Sequence, residues 1–543
     1  MLSNFCYPAV IFCAVTLPLE CFAQTGPDLS AVVTVNANSY VRDIPRTLFG
    51  TNIEWIYAGY GIWDLATDAL QTDIVRLAGG LSLSLVRFPS AADSYHWQDG
   101  IGPRAMRPVR MASPTGPLSA ETFGTDEALS FASAAGAELM ITVNVETGTP
   151  EEAAGWVQYV NGGGRRVTYW EIGNEPYLTW SGAPMAPSDY AQKVVQFSTA
   201  MRAADPGIKI GAVGGENYGQ YNNVVPGWNQ TLLQTAGQYI DFLAVHNSYT
   251  PVLLQPDPPD VRTVYESMLA APQSIRGNLE TLTQQIATYV PDRASQIRLA
   301  ITEFGPLFQT APSSSYVDHV KTLGSALYVA SVMNAFIQSP QVDIANFFKL
   351  VDNSFMGWIG MDNGAYLVKA PYMVMQMYSQ YVDQTLVSTT VNSPTFTTPP
   401  LGVVDQVTNA PYLEVIATAS ADRKKLTLLA VNKNFDSAVE ASFTLQNFMP
   451  DPAATVWTLT GTAPDANTGT QLFQAPGIVW APQAVYSPNG RFNQGNPSEV
   501  SIQQSTLTGV SSHLVYRFPA HSVTALILTS PKTKSRDRVL APQ

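Results

Sequence analysis

Cysteine is nearly missing from this chain: of 543 residues only Cys6, Cys13 and Cys21 are cysteine, all close to the start. They fall in a stretch that is apolar from about Phe5 to Leu19 and ends in Cys-Phe-Ala. That pattern reads as a secretory signal over residues 1–23 with cleavage after Ala23, although its first residues carry no Lys or Arg. A buried first helix or a membrane anchor is the other reading, and the run is shorter than the ~20 residues a span needs. With the signal removed no thiol remains, which excludes disulfides, thiolate metal sites and cysteine nucleophiles. Stability must then come from the size of the core.

Charge is scarce as well. Charged residues make up 13% of the chain and the formal net charge is -13. An acidic balance argues against binding a nucleic-acid backbone or an anionic membrane surface, and more weakly against a polyanionic substrate. The one basic cluster, Lys532, Lys534, Arg536 and Arg538, reads as a solvated tail. The sequence has no H-E-x-x-H, no Cys/His cluster after the signal, no G-x-S-x-G elbow and no Walker run, so neither a metal nor another cofactor is expected. Gly162, Gly163 and Gly164 precede a strand where a phosphate loop would precede a helix, so that triplet is a turn. No later segment is apolar enough to cross a membrane, and no internal repeat is visible.

What is present is apolar material, 45% of residues, with 10% aromatic, enough for two cores and an aromatic-lined cleft. From residue 46 to about 385, strand-like runs alternate with helical ones, the pattern of a parallel α/β sheet. Eight strands are predicted: Phe49 to Trp55, Leu83 to Pro89, Ala137 to Val145, Val167 to Glu175, Ile208 to Gly214, Phe242 to Tyr249, Ile297 to Phe304 and Val342 to Val351. Amphipathic segments lie between them, among them Asp126 to Ala135, Glu151 to Val160, Asp189 to Ala204 and Val317 to Gln338. Eight such units closing on themselves make a (β/α)8 TIM barrel, whose chemistry sits at the C-terminal ends of the strands. Residues 386–530 lose the helical period and read as an antiparallel β-sandwich, with 531–543 a flexible tail. Residues 24–45 also alternate and are expected to pair into that sandwich.

Two carboxylates end barrel strands. Trp170-Glu171-Ile172-Gly173-Asn174-Glu175-Pro176 places Glu175 at the rim of strand four, and Ile301-Thr302-Glu303-Phe304-Gly305 places Glu303 at the end of strand seven. Facing one sugar ring, such a pair cleaves a glycosidic bond, one protonating the leaving oxygen and the other supporting the anomeric carbon. Alternation sets Glu171 and Gly173 on one side and Ile172 and Asn174 on the other, and Asn174 could bond a sugar 2-hydroxyl. Surface carboxylates with no catalytic part are the plainer alternative for Glu171 and Glu175. Tyr249 is the proposed donor to an ionised Glu303, and His246 serves either substrate or core. Glu54 ends strand one, as a ligand to sugar hydroxyls or a salt bridge, and Arg87 ends strand two, as the charge beside the nucleophile or a structural ion pair. Trp180 and Trp358 could stack on sugar faces or fill the core.

These residues resemble the retaining glycoside hydrolases of clan A, most closely family 51, the α-L-arabinofuranosidases. The likeness is carried by Gly-Asn-Glu, Val-Arg-Phe-Pro (86–89), Tyr-His-Trp-Gln-Asp-Gly-Ile-Gly-Pro-Arg (95–104), Phe-Gly-Thr-Asn-Ile-Glu (49–54) and Lys-Leu-Val-Asp (349–352). In the sandwich it is carried by Leu-Thr-Gly-Thr-Ala-Pro-Asp-Ala-Asn-Thr (459–468) and Pro-Ala-His-Ser-Val-Thr (519–524). The resemblance implies Glu175 as acid/base, Glu303 as nucleophile, Glu54, Arg87, Asn174, His246 and Tyr249 around the sugar, a carbohydrate substrate, and frequent homo-oligomers. Departures fall near the sugar. Pro89-Ser90-Ala91-Ala92 stands where the family tends to have Pro-Gly-Gly-Asn, Thr-Glu-Phe-Gly replaces a Glu-Trp-Asn pattern, and Trp-Glu-Ile-Gly-Asn-Glu-Pro is closer to families 39 and 79. The expected activity is removal of terminal sugars from plant-type glycans, arabinofuranoside first, with a β-glucuronidase or β-xylosidase as the enzymatic alternative. A catalytically inactive carbohydrate-binding barrel is the alternative of another class.

Overall fold

The computed structural model describes residues 29–531 except 91, 93, 112–117, 179–183, 219–224, 247–259, 307–316, 353–355, 363–364 and 469–498. Residues 1–28 and the terminal tail, and with them the expected signal, lie outside the described residues. Among the described residues no helix is long and apolar enough to cross a membrane.

Eight parallel strands close into a barrel: β1 (Gly50–Asn52), β2 (Leu85–Phe88), β3 (Glu138–Val143), β4 (Tyr169–Ile172), β5 (Lys209–Val213), β6 (Phe242–Val245), β7 (Arg298–Phe304) and β8 (Val342–Phe347). Each falls within one of the eight predicted runs. One helix follows each strand in turn: α1 (Thr72–Gly80), α2 (Thr125–Ala135), α3 (Pro150–Asn161), α4 (Pro187–Ala204), α5 (Trp228–Ala236), α6 (Val261–Tyr289), α7 (Leu323–Gln338) and α8 (Ala370–Tyr381). Local chemistry fixes several helix starts. Thr149 accepts from the Glu152 N–H at 3.1 Å ahead of Pro150 in α3, and Asp260 accepts from the Thr263 N–H in α6.

The barrel strands are buried on both faces, so period two shows in the kind of residue, not in its exposure. Outward positions such as Val86, Ile141, Trp170, Ile172, Leu243 and Ile301 join the large core under the helices. Inward positions near the strand starts form a small apolar plug of Leu85, Met140, Phe242, Ala244, Ala300 and Ile344. One layer nearer the C-terminal ends, the inward residues are polar and buried: Asn52, Arg87, Thr142, Glu171, Thr302 and Asn346. The plug fills the barrel's interior below, and the polar layer above it is the floor of the site.

The second domain is a nine-stranded sheet curled over its own core of Val33, Val35, Leu428, Phe443, Phe518 and neighbours. The strand Leu29–Asp43 lies inside it, antiparallel to Thr385–Asn392 and parallel to Val439–Gln446. The rest of the sheet is Leu413–Ala419, Lys425–Asn432, Ala453–Gly461, Val500–Thr508, His513–Phe518 and Ser522–Thr529. Helix α7 corrects an expectation. Predicted as amphipathic, it is buried from Leu323 through Ile337, wedged between barrel and sheet. Its first N–H groups are satisfied from the second domain: Leu323 donates to the Ala466 carbonyl at 2.8 Å and Gly324 to that of Pro464 at 2.7 Å. Residues 459–468 therefore serve as a clasp on the barrel.

Behind β2, Glu121 is fully buried with neither carboxylate oxygen hydrogen-bonded among the described residues. Burial, reinforced by Asp99, pushes its carboxyl up to about 8. A carboxyl raised this way is protonated in the folded state while still ionising in the unfolded one, so stability declines as pH climbs from about 4.3 towards that raised value. Glu121→Gln is expected to melt close to wild type at pH 4 and above it at pH 8. Thermal melts at the two pH values check this; a gap that shrinks with rising pH would contradict it.

Candidate active site

The floor of the barrel is organised by one guanidinium. Arg87, fully buried on β2, donates from Nε to Glu171 Oε2 at 2.6 Å, from Nη1 to Glu303 Oε1 at 2.7 Å and to Asn52 Oδ1 at 3.1 Å, and from Nη2 to Asn174 Oδ1 at 2.8 Å. Burial works against its charge, yet Glu171 and Glu303 outweigh that and hold it protonated beyond its ordinary range. Thr142 adds a second bond to Glu171 Oε2 at 2.8 Å. The planar fork suits this task, since one lysine could not reach four acceptors around it.

Glu175 reaches the mouth by a break in the strand. β4 ends at Ile172, and Gly173 turns into the left-handed region at φ 83°, where an added Cβ would stand 2.4 Å from Val145 Cγ1. Glu175 itself sits at φ 43°, a costly conformation for a non-glycine residue that concentrates at functional sites. This break also reverses the predicted alternation. Asn174, expected on the side of Ile172, faces inward and is bonded to Arg87.

His246, one step past β6, stands between the two acids. Its Nδ1 lies 2.9 Å from Glu175 Oε1 and 3.6 Å from Glu303 Oε2. Burial alone would depress the imidazole, but the charges of Glu303 and Glu175 win and hold it above its usual value. A carboxylate oxygen of each acid and this nitrogen all lie within 4.8 Å of one another, a cluster that could also offer three ligands to a metal ion. Glu175 is the more open of the acids, its side chain 19% exposed against 7% for Glu303. Tyr177 is buried beside them; burial and then the charges of Glu175 and Glu303 push its phenol well up, so it stays a neutral O–H.

A second buried cation lies across the mouth. Lys349, past β8, bonds Glu54 at 2.7 Å, lies 3.3 Å from Asp352, and stands 3.7 Å from the centre of the Tyr60 ring. Burial opposes its charge, and Asp352 and Glu54 more than compensate. Tyr60 is delivered by a left-handed turn in which Tyr57, Ala58, Gly59, Tyr60 and Gly61 all have φ between 53° and 85°. For side chains with a Cβ that costs about 1–2 kcal/mol each. The turn is held by the Tyr57 N–H on Ser119 Oγ at 2.9 Å and by Phe123 packed under Gly59.

Of the residues singled out in the sequence, Glu54, Arg87, Asn174, Glu175, His246 and Glu303 converge at this end of the barrel. Tyr249 and Trp180 lie outside the described residues. Trp358, offered as a stacking platform for sugar, is 1% exposed and stacked on Phe347 with ring centres 3.7 Å apart, which puts it in the packing beneath the site. Sequence reasoning missed the parts of Glu171, Asn52, Lys349 and Tyr177. Glu171 had a legible signal, since it shares its side of β4 with Tyr169, which packs on the barrel plug.

Comparison with known proteins places this geometry. The family described as α-L-arabinofuranosidase 1 domain matches residues 66–247, and the α-L-arabinofuranosidase C-terminal domain matches 303–479. A probable α-L-arabinofuranosidase C of Aspergillus clavatus is 25% identical over 87% of this chain and 93% of its own. An intracellular exo-α-(1->5)-L-arabinofuranosidase of Bifidobacterium longum is 30% identical over 51% of each. The solved family-51 α-L-arabinofuranosidase of Thermotoga petrophila superposes with a TM-score of 0.75 at 24% identity, covering 92% of this chain and all of that one. The chain belongs to glycoside hydrolase family 51. It is a retaining glycoside hydrolase on a TIM barrel with a C-terminal β-sandwich.

In this family-51 enzyme the Lys349 cluster is expected to be strongly coupled. Lys349→Met leaves Glu54 and Asp352 uncompensated and should cost about 3–5 kcal/mol in denaturant melts. The double variant Lys349→Met/Glu54→Gln should recover part of that loss. A double variant no more stable than the single one would show that Glu54 and Lys349 are not energetically paired.

Proposed function

We propose that the enzyme removes terminal α-L-arabinofuranosyl units from plant-type glycans by double displacement, with Glu303 as nucleophile and Glu175 as acid/base. The observation that carries this reading is the convergence of the two acids. One carboxylate oxygen of Glu175 and one of Glu303 lie within 4.8 Å of each other, a close approach that supports the roughly 5 to 5.5 Å carboxyl spacing of retaining enzymes over the about 6.5 to 9.5 Å of inverting ones. Arg87 favours an ionised Glu303, ready to attack the anomeric carbon, while the more open Glu175 protonates the leaving oxygen. Glu175 then takes a proton from water as it hydrolyses the glycosyl-enzyme. Asn174 and Glu54 are assigned to sugar hydroxyls, with Tyr249 as a further donor to Glu303.

Charge pairing supports a neutral sugar. Among the described residues of the mouth, Arg87 is matched by Glu171 and Glu303, and Lys349 by Glu54 and Asp352, so neither cation is open to a uronate. That weighs against the β-glucuronidase reading, and the arabinofuranosidase names of the relatives weigh against a β-xylosidase. Secretion is proposed from the apolar run before Ala23; the Bifidobacterium longum relative is named intracellular.

A panel of nitrophenyl glycosides is expected to give turnover on α-L-arabinofuranoside and little on β-xyloside or β-glucuronide; a β-glucuronide preference would overturn the charge argument. Methanolysis should give the methyl glycoside with retained configuration. Glu303→Gln should abolish turnover with the fold intact. Glu175→Gln should lower kcat/KM, which reports the glycosylation step, by about 10²–10⁴-fold on poor leaving groups and far less on dinitrophenolate, which needs no proton. Equal losses in kcat/KM on both leaving groups would remove Glu175 from the acid/base role.

A further inference from the structure

Lys349 stands at the seam where the barrel closes on itself. There β8 pairs with β1 through Phe347 and Thr51. Just past the pair the Leu350 N–H donates to the Asn52 carbonyl at 3.1 Å, and the Lys349 carbonyl accepts from the Trp358 N–H at 3.0 Å. The backbone that carries the ammonium is therefore held on both sides.

The ammonium itself is fully committed. It has three N–H donors, and around it stand Glu54 Oε1 at 2.7 Å, Asp352 Oδ2 at 3.3 Å and the Tyr60 ring, whose centre is 3.7 Å away. With its side chain 4% exposed, Lys349 has no donor left for a ligand. A charge in the mouth that is spent in this way acts through its partners.

Glu54 is spent on one side only. Its Oε1 is taken by Lys349, whereas its Oε2 has no hydrogen-bond partner among the described residues and is not sealed off, in contrast to Glu171 Oε1 on the floor. An ionised carboxylate only accepts, so the group that meets Oε2 must be a donor, and a neutral sugar supplies hydroxyls. The choice of lysine matters here. A guanidinium engages a carboxylate with two parallel N–H bonds and spends both oxygens, while an ammonium is a point donor and spends one.

We propose that Lys349 is a positioning residue for the hydrolysis: it holds the Glu54 carboxylate by Oε1 so that Oε2 accepts one hydroxyl of the sugar being cleaved and selects for that hydroxyl. The proposal rests on the reading of Glu54 as a ligand to the sugar and adds what aims it. A unit whose hydroxyl at that place is acylated or glycosylated offers Oε2 no proton and is rejected.

The test compares nitrophenyl α-L-arabinofuranoside with its 2-, 3- and 5-deoxy analogues on wild type and on Lys349→Arg. On wild type, loss of the hydroxyl that Glu54 accepts should lower kcat/KM about 10–100-fold. Lys349→Arg keeps a cation between Glu54 and Asp352 but draws on both Glu54 oxygens. It should lower kcat/KM on the parent glycoside by about the same factor, leave that one deoxy analogue where it was, and keep the penalties for the other two hydroxyls. Lys349→Met, with its melting temperature measured alongside, frees Glu54 to turn and should erase the same single penalty, so either variant alone decides. A Lys349→Arg enzyme with wild-type kcat/KM and all three penalties intact would make Lys349 a structural counter-charge and overturn the proposal while leaving the proposed hydrolysis standing. Absence of turnover on every glycoside by wild type would overturn the hydrolysis, and the positioning role with it.

Discussion

The site depends on a single buried guanidinium. Arg87 joins β2 to β4 through Glu171, to β7 through Glu303, to β1 through Asn52 and to the β4 loop through Asn174. Placing a charge where it is fully buried is tolerable only because two carboxylates and two amide oxygens surround it. That enclosure fixes the position of Glu303. Glu303 cannot swing away from the barrel axis without leaving Arg87 short of a counter-charge. The ion pair weighed from the sequence is present, and its partners are Glu171 and Glu303.

Around that centre the barrel separates its tasks by depth. Apolar side chains fill the start of the strands, a polar layer follows, and Glu175 and Glu303 stand on the residues that end or follow the strands. The backbone departs from ordinary geometry at Gly173 and Glu175, and in the left-handed turn from Tyr57 to Gly61. Both departures put a side chain where a regular strand or helix would not deliver it.

How much of this could be read from residues alone follows from the range of each signal. The eight barrel strands were legible because β-branched and apolar runs recur between helical ones, and the two acids because each closes such a run. Asn174 was put on the wrong side because alternation fails where Gly173 takes a positive φ, which the sequence hints at only by the glycine itself. Glu171 and Lys349 look like ordinary charges in one dimension; their partners Arg87 and Glu54 are 84 and 295 positions away. Helix α7 was read as one-sided because its second neighbour, the sheet, follows it in sequence and could not be counted. Trp358 was given an outward task for want of knowing that Phe347 lies flat against it.

The clasp formed by residues 459–468 makes the two domains less separable than a diagram suggests. The carbonyls of Pro464 and Ala466 complete the first turn of α7, and the sheet covers a helix that is buried from Leu323 through Ile337. A barrel produced alone would present that helix to water with its leading amides bare, inviting self-association before any catalysis could be measured. The sandwich in this respect completes the barrel's own packing, so the interface between the two is part of the enzyme's core.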